Sequence, residues 1–520
     1  MNWENALKEL EFRRQESLKL GGEERVARQH EFGKQTIRER IDMLLDKSSF
    51  LEVGQLTGTG EYDEDGNVVK VTPSPYVMGL GKIDGRFVCV GGEDFTIHGG
   101  TGGGLEKRKG GQGGFIEEMA ADYLCPLINL VDGAGATVTE ASKGYKRLPG
   151  KDAMDRSVDL LSKVPVCSAV LGSVAGGPAG RAIMAHFSVM VDPTAQIFAA
   201  GPPVVERALG HKITKQELGG AAVSAMKGGT IDNVAKSEDE AMDMIRRFLS
   251  YLPSNVWEMA PRVQIDDPVD RRDDELLKIV PENRKRAYNM YKIIKVIVDR
   301  DSFFEIQPEF GKSIIVGFAR FNGYTAGIVA NNPMVLAGAM DAASSRKVTH
   351  FAGLCNIFHI PMVHLLDCPG FMLGLQSEEE GTLRFGMGAM FEVYRSNVPR
   401  VTVAIRKSYG MGSGLSFTDH TLRYRIAWPS AEFGSLPIEG GVAAAYRREI
   451  AASPDPAKRT AELEAELLKY SSPFRTAEHF SVEDIIDPRE TRQRLCMLIE
   501  ASQARIKTEL GRTPTYGLRP

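Results

Sequence analysis

The chain has 520 residues, 42% hydrophobic and 25% charged, which suits a soluble globular protein of two large domains or three modest ones. Its 64 basic and 68 acidic residues leave a net charge of −4, so it lacks an electrostatic footprint for nucleic acid. The short run Lys107-Arg108-Lys109 does not change that, and extended disorder and fibrous architectures are excluded by the same composition.

From the N-terminus, no signal peptide and no run of about 18 apolar residues is found, which reads as a cytoplasmic chain. The first strong element is an amphipathic helix in Thr36–Val53 that ends in Asp46 and leaves through Ser49-Phe50 into a strand. Gly58 to Pro75 reads as a surface loop. Asp84-Gly85 marks a turn before the apolar strand Phe87–Val90, and a glycine cluster follows at Gly91-Gly92 and Gly99–Gly104. A helix at Phe115–Tyr123 leads to a buried strand, Leu127–Val131, that ends in Asp132-Gly133. The strand Val166–Leu171 then runs into Gly172-Ser173-Val174-Ala175-Gly176-Gly177, and Asp192-Pro193 follows.

The same plan returns in the second half. NMYKIIKVIVDRDSFFEI, from Asn289, repeats the opening helix, its aspartate and its Ser-Phe exit. Asn322-Gly323, the strand Met362–Cys368 with Asp367, the strand Val401–Ile405 running into Tyr409-Gly410-Met411-Gly412, and Trp428-Pro429 repeat the rest in order. Strands alternating with helices such as Lys347–Phe358 imply βαβ units and largely parallel sheets, an α/β fold used twice. Pro253, Pro261 and Pro268, with the charge cluster Asp266–Asp274, read as a solvated connector, so domains are expected at 1–260 and 261–520. Pro456–Tyr470 reads as an exposed polar helix.

The usual catalytic motifs are absent: no nucleophile elbow, P-loop, zinc-helix or calcium-loop pattern occurs. The six cysteines are widely spaced and His359 and His364 only flank a strand, so no metal is expected. The Gly99–Gly104 cluster lacks the helix and following acid of a dinucleotide site. What remains is a glycine-containing pair after a buried strand in each half: Gly176-Gly177 and Met411-Gly412. A strand that turns there into a helix presents backbone N–H groups and the helix dipole to a developing oxyanion. The plainer reading is that the glycines permit close packing; two pairs at equivalent places favour oxyanion binding. Two such holes without a side-chain base suit a reaction in which both substrates pass through oxyanions and one supplies the base.

These and other ordered motifs make the chain resemble, nearly end to end, the carboxyltransferase (beta) subunits of biotin-dependent acyl-CoA carboxylases of the propionyl-CoA and methylcrotonyl-CoA type. The matching residues include Gly33-Lys34 with Arg38-Glu39-Arg40, Asp94-Phe95-Thr96, Ala175-Gly176-Gly177 and Leu252-Pro253-Ser254-Asn255. Asp266-Asp267-Pro268, Pro369-Gly370-Phe371, Arg406-Lys407-Ser408-Tyr409-Gly410, Ala427-Trp428-Pro429 and Ile485–Arg489 continue the match. The resemblance implies two tandem crotonase-superfamily (β-β-α spiral) domains, with an active site between the N domain of one subunit and the C domain of its dimer partner. It implies a hexamer of three dimers.

In that frame Gly176 and Gly177 hold the acyl-CoA enolate oxygen, while Met411 and Gly412 hold the biotin ureido oxygen. Gly99, Gly100, Gly133, Ala134, Ala175, Ser413 and Gly414 line the CoA substrate, and Tyr409, Gly410, Pro369, Gly370 and Phe371 the biotin. Biotin arrives in trans: Ala225-Met226-Lys227 only mimics part of a biotinylation signature, with Ser224 before it and Gly228 after. A separate biotin carboxylase and carrier are therefore expected as partners, in the cytoplasm or, for a eukaryote, the mitochondrial matrix; neither nucleic acid nor membrane is.

Departures from the family pattern lie at Asp132–Thr137, which lacks the usual arginine, at Tyr409–Gly414, and at Gly434–Glu439. They leave the acyl group open, and Gly414 in place of a bulkier residue implies a longer or branched acyl chain. The reverse, decarboxylating direction and a non-catalytic acyl-CoA-binding paralogue stay as alternatives.

Overall fold

The computed structural model describes residues 3–100, 109–110, 113–135, 154–416 and 423–513. Thr101–Gly104, Lys107-Arg108, Ala136-Thr137 and Phe417 lie outside the described residues. The chain divides into two compact units, Met1–Glu258 with Gly511–Pro520, and Met259–Leu510. The return of the C-terminal tail to the first unit has no counterpart in the sequence reading; Gly511 N–H donates to Val256 O and Arg512 pairs with Asp159.

In each unit a helix and a short strand lead to the long hairpin that starts the sheet; the helices Glu4–Leu18 and Glu23–Glu31 precede them in the first unit and Leu276–Ile279 in the second. In the first, Thr36 caps the helix Ile37–Leu44 in a capping box with Glu39, and the buried face is Ile37, Ile41 and Leu44. In the second, Asn289 caps Met290–Ile297, whose Met290, Ile293, Ile294 and Ile297 are buried. The hairpins turn through Asp84-Gly85 (φ 50° and 77°) and Asn322-Gly323 (φ 52° and 79°), the doubly positive geometry that favours Asp or Asn followed by Gly.

The aspartate after each opening helix explains the repeated Asp…Ser-Phe motif. Asp46 accepts from Asp84 N–H at 3.0 Å and Gly85 N–H at 2.8 Å. Asp299 accepts from Asn322 N–H at 3.1 Å and Gly323 N–H at 2.8 Å. Ser49 and Ser302 each take a further strand N–H. Only Asp299 also meets a buried guanidinium, Arg492, at 2.8 Å. Asp299→Ala is therefore expected to cost about 3–5 kcal/mol, as when one partner of a buried pair is removed. Asp46→Ala, which loses only partly exposed hydrogen bonds, should cost about 1–2 kcal/mol; denaturant unfolding of the two intact variants compares them.

The first sheet runs Leu51–Glu52, Tyr76–Ile83, Arg86–Glu93, Leu127–Val131, Val166–Val170, Phe187–Val191, Asn233–Ala235. The second runs Phe304–Ile306, Ile314–Phe321, Tyr324–Asn331, Met362–Cys368, Arg400–Tyr409, Arg423–Ala427, Asp484–Ile485. In both, the first three strands pair antiparallel and the rest parallel. Buried five-residue strands such as Leu127–Val131 have no polar face because helices cover both sides. Cys89, Ile116, Leu127 and Val166 centre one core; Ile315, Ile328, Val363, Val403 and Trp428 centre the other.

Three expectations change. Gly58–Tyr62 and Val68–Pro73 form an antiparallel two-stranded ribbon, because the strand formers Thr59, Tyr62, Val68, Val69, Val71 and Thr72 on either side of Asp65-Gly66-Asn67 favour pairing over an open loop. The helix expected from Lys347 starts at Ala342, where Asp341 caps it. The cluster Asp266–Asp274 is not merely solvated: Asp267 is 8% exposed and pairs with Arg271 and Arg492, anchoring the segment in the second unit.

Candidate active site

In the first unit the site is built outward from Asp132, at the end of the strand Leu127–Val131. Its carboxylate is fully buried and receives Lys34 Nζ at 2.7 Å and Arg40 at 3.0 Å. Arg40 also pairs with Glu238 at 2.6 Å. Burial lowers the Lys34 pKa, with Asp132 working against that shift. The motif Gly33-Lys34…Arg40 thus contributes to a buried charge network around Asp132.

That network fixes the next residues. Ala134 N–H donates to Gly99 O at 3.2 Å, and Ala175 N–H donates to Gly133 O at 3.3 Å. A Cβ on Gly100 would lie 2.6 Å from Asp132 O, so this close approach needs glycine. Gly99, Gly100, Gly133, Ala134 and Ala175 are therefore brought together at one end of the sheet. A short strand not foreseen, Ser173–Ala175, pairs with Gln196–Phe198 before the turn.

Gly176 follows with φ 64° and ψ −127°, open only to glycine, and caps the helix Gly177–Ile183. Among the described residues, a Cβ at Gly176 or Gly177 meets no atom within 4 Å. No described residue crowds these two glycines, and first-turn N–H groups have no intrahelical acceptor. Arg181, in the same helix, is buried and ion-paired with Glu93. Burial opposes its charge, but Glu93 and its neighbours together raise its pKa.

Beside Gly99 lies a cavity of about 380 Å³ lined by Arg25, Arg28, Phe32, Phe95 and His98. Sequence reasoning missed it; the Arg25…Arg28 spacing, one helical turn, was the available signal.

In the second unit, Asp367 occupies the place of Asp132. It receives Arg406 at 3.0 Å and Lys407 N–H at 3.0 Å. Beyond it, Gly370 (φ 121°) accepts from Met340 N–H at 3.1 Å, and the Phe371 ring fills the space a Cβ on Gly386 would need. The strand Arg400–Tyr409 turns at Gly410 (φ 61°) into the short helix Gly410–Gly414. Ser413 Oγ donates to Gly410 O at 2.9 Å, and Tyr394 OH donates to Gly414 O at 3.1 Å, which braces the turn.

Tyr409 is a wall of this site. Its hydroxyl donates to Glu432 at 2.5 Å and accepts from Arg284 at 3.1 Å; burial first, then Glu432, raises its pKa. It lines a cavity of about 140 Å³ with Pro369, Arg284, Lys285, Lys407 and Glu439. Of these the sequence reading made only Tyr409 and Pro369 site residues; Lys407 entered as part of a family motif and Glu439 as part of a departure from it.

The two turns align with a one-residue correction. Ala175 pairs with Phe198, and Tyr409 with Gly434, at matching ends of matching strands. Gly176 then corresponds to Gly410, both with positive φ, and Gly177 to Met411. Gly412 matches Pro178, which has no N–H, and a Cβ at Gly412 would lie 2.8 Å from Gly370 C. Gly412 is a packing glycine against Gly370-Phe371. Met411 is the exposed counterpart of Gly177.

His364 is buried in the strand Met362–Cys368 and contacts Ser416; burial, then Arg400, pushes its pKa down to about 3. Among the described residues, no group of three His, Cys, Asp or Glu could hold a metal ion. Lys227 is exposed in a turn after the helix Ala221–Ser224.

A duplicated α/β unit with a positive-φ glycine turn after the equivalent strand in each copy is the arrangement of a crotonase-type enzyme. The carboxyl transferase domain family matches residues 28–512, and the chain belongs to it, among the carboxyltransferase subunits of biotin-dependent acyl-CoA carboxylases. The propionyl-CoA carboxylase carboxyltransferase subunit of Haloferax mediterranei is 35% identical over 98% of both chains. The methylmalonyl-CoA decarboxylase subunit alpha of Propionigenium modestum is 34% identical over 93% of both. Among solved structures, the transcarboxylase 12S hexamer with methylmalonyl-coenzyme A bound superposes with a TM-score of 0.86 at 32% identity, covering 100% of this chain and 97% of that one.

Proposed function

We propose that the protein carboxylates an acyl-CoA, taking the carboxyl group from biotin on a separate carrier. The observation that carries this reading is the paired turn, Gly176-Gly177 and Gly410-Met411, in a chain similar over nearly its whole length to a propionyl-CoA carboxylase subunit. In the first unit, the N–H groups at Gly176 and Gly177 receive the thioester oxygen as negative charge develops on it, with Gly99, Gly100, Gly133, Ala134 and Ala175 shaping the approach. In the second, the N–H of Met411 receives the ureido oxygen, with Pro369, Gly370, Phe371, Tyr409 and Gly410 around it. That turn fits a ureido group: it is short, bounded by Gly370, and its Met411 side chain is exposed. Bound biotin supplies the carboxyl group and the base, so no side-chain base is required.

A partner biotin carboxylase with its carrier and a hexamer of this chain complete the proposal, the assembly being that named for the 12S relative. No helix of the described residues is long and apolar enough to cross a membrane, and the proposed compartment is the cytoplasm, or the mitochondrial matrix in a eukaryote. The decarboxylating direction is the second reading, favoured by the 34% identity to a methylmalonyl-CoA decarboxylase subunit. The test is label transfer from a carboxylated biotin carrier to a panel of acyl-CoAs, run in both directions. Tight CoA binding with no transfer to any of them would identify a non-catalytic paralogue instead.

Acyl length follows from Gly414. Among the described residues a Cβ there meets only Met390 Cε, at 3.8 Å, which leaves room at this wall. Each extra methylene enclosed contributes about 1–3 kcal/mol of discrimination. A C4–C10 acyl-CoA should therefore exceed acetyl-CoA in kcat/KM, and Gly414→Ile should move the preference toward shorter chains. A wild-type preference for acetyl-CoA over the whole series would end this expectation.

A further inference from the structure

We propose that the buried ion pair Glu93–Arg181 is a positioning device for the acyl side: it locks the helix Gly177–Ile183 to the Asp132-Gly133 turn and so aims the Gly177 N–H. The inference rests on the acyl-CoA reading given above.

Glu93 ends the second hairpin strand and Arg181 lies one helical turn beyond Gly177; they are 4% and 3% exposed. One carboxylate oxygen of Glu93 takes Arg181, and the other accepts Asp132 N–H at 3.4 Å. A Cβ on Gly100 would lie 3.0 Å from Glu93 Cβ, and one on Gly133 3.1 Å from Glu93 Cγ. Glu93 therefore lies under the Gly100 and Gly133 backbone, and Arg181 ties that floor to the helix that starts at Gly177. The guanidinium also sits 5.6 Å from the Tyr76 ring centroid.

The second unit solves the same local problem without charge. Asn331 ends the equivalent strand; its Oδ1 accepts Asp367 N–H at 3.2 Å and its Nδ2 donates to Gly338 O at 2.9 Å. The position matching Arg181, in the register that pairs Gly176 with Gly410, is Leu415, buried at 3%. Asn and Leu suffice to fold this corner. Burying two charges costs desolvation that a neutral pair avoids, so the pair in the first unit serves something the corner alone does not need. Its distinctive result is a directional tether between the turn and the helix bearing Gly177.

The experiment grafts the neutral solution, Glu93→Asn with Arg181→Leu, into the intact protein, beside Arg181→Lys, which keeps the charge. For the double variant we expect an unfolding midpoint within a few degrees of wild type and an unchanged oligomer. kcat for acyl-CoA should fall at least 30-fold, with KM for acyl-CoA and for the carrier within threefold, because the aim of a donor matters in the transition state. Arg181→Lys should recover part of that loss. Hydrogen exchange should accelerate at least tenfold in the peptide spanning residues 177–183 and stay unchanged in the peptide spanning 410–414. A double variant with wild-type kcat, or with unaltered exchange in 177–183, would show the pair to be structural only. The exchange arm reads the tether even if no acyl-CoA is turned over, so failure of the functional reading is told apart from failure of this one.

Discussion

Gly177→Val is expected to lower kcat by about 10²–10³, the usual cost of about 3–4 kcal/mol for losing one oxyanion donor, while the protein stays folded. The fold should tolerate the change because, among the described residues, a Cβ at Gly177 meets nothing within 4 Å. Its φ is not in the left-handed region, so valine adopts the backbone at the small cost of a β-branched residue at a helix start. On the proposed reading, the isopropyl group hinders the approach of the thioester carbonyl to the Gly177 N–H. Gly412→Val is the contrasting control: its Cβ would lie 2.8 Å from Gly370 C and 2.9 Å from Phe371 N, so that substitution must displace backbone. Label transfer together with thermal unfolding separates the two. Gly177→Val should lose activity without stability, and Gly412→Val should lose both; full activity in Gly177→Val would remove the oxyanion assignment.

The duplication was legible because it rests on residues whose roles are local. Asp46 and Asp299 each close a two-residue hairpin turn, and the turn dictates Asp-Gly and Asn-Gly at the matching positions. The buried parallel strands were legible as unbroken apolar runs bounded by turn residues. The exact register of the second glycine turn was not. Gly410, Gly412 and Gly414 stand at alternate positions, and a pattern of glycines cannot tell which one must have positive φ and which one clears a neighbouring backbone. The strand pairing of Tyr409 with Gly434 settles it.

The charged floor of the site was hidden for a different reason. Glu93 and Arg181 lie 88 residues apart, and Arg284 reaches Tyr409 and Glu432 over 125 and 148 residues. Periodicity within one element says nothing about such partners. Conversely, several residues that made the chain recognisable are buried ion-pair partners: Lys34, Arg40 and Asp267. Removing one partner of such a pair strands a charge, whereas the glycine turns are constrained by what must approach them.

The one-residue correction leads to a second large effect. Met411→Pro is expected to lower kcat by about 10²–10³, whereas Met411→Leu should stay within a fewfold of wild type. The Met411 side chain is 55% exposed, so leucine leaves the backbone donor in place. Proline deletes that N–H and little else. Proline is accommodated in the first turn of a helix, where its missing N–H breaks no intrahelical bond. The matching turn already carries Pro178 one position later, and the preceding Gly410, at φ 61°, has no Cβ to clash with the pyrrolidine ring. The loss should appear in carboxyl transfer and equally in carboxyl loss from the carrier without acyl-CoA, because both need the ureido oxygen held. Affinity for acyl-CoA should not move. Wild-type turnover in Met411→Pro would transfer the role to Gly412, and with it the register deduced from the paired strands.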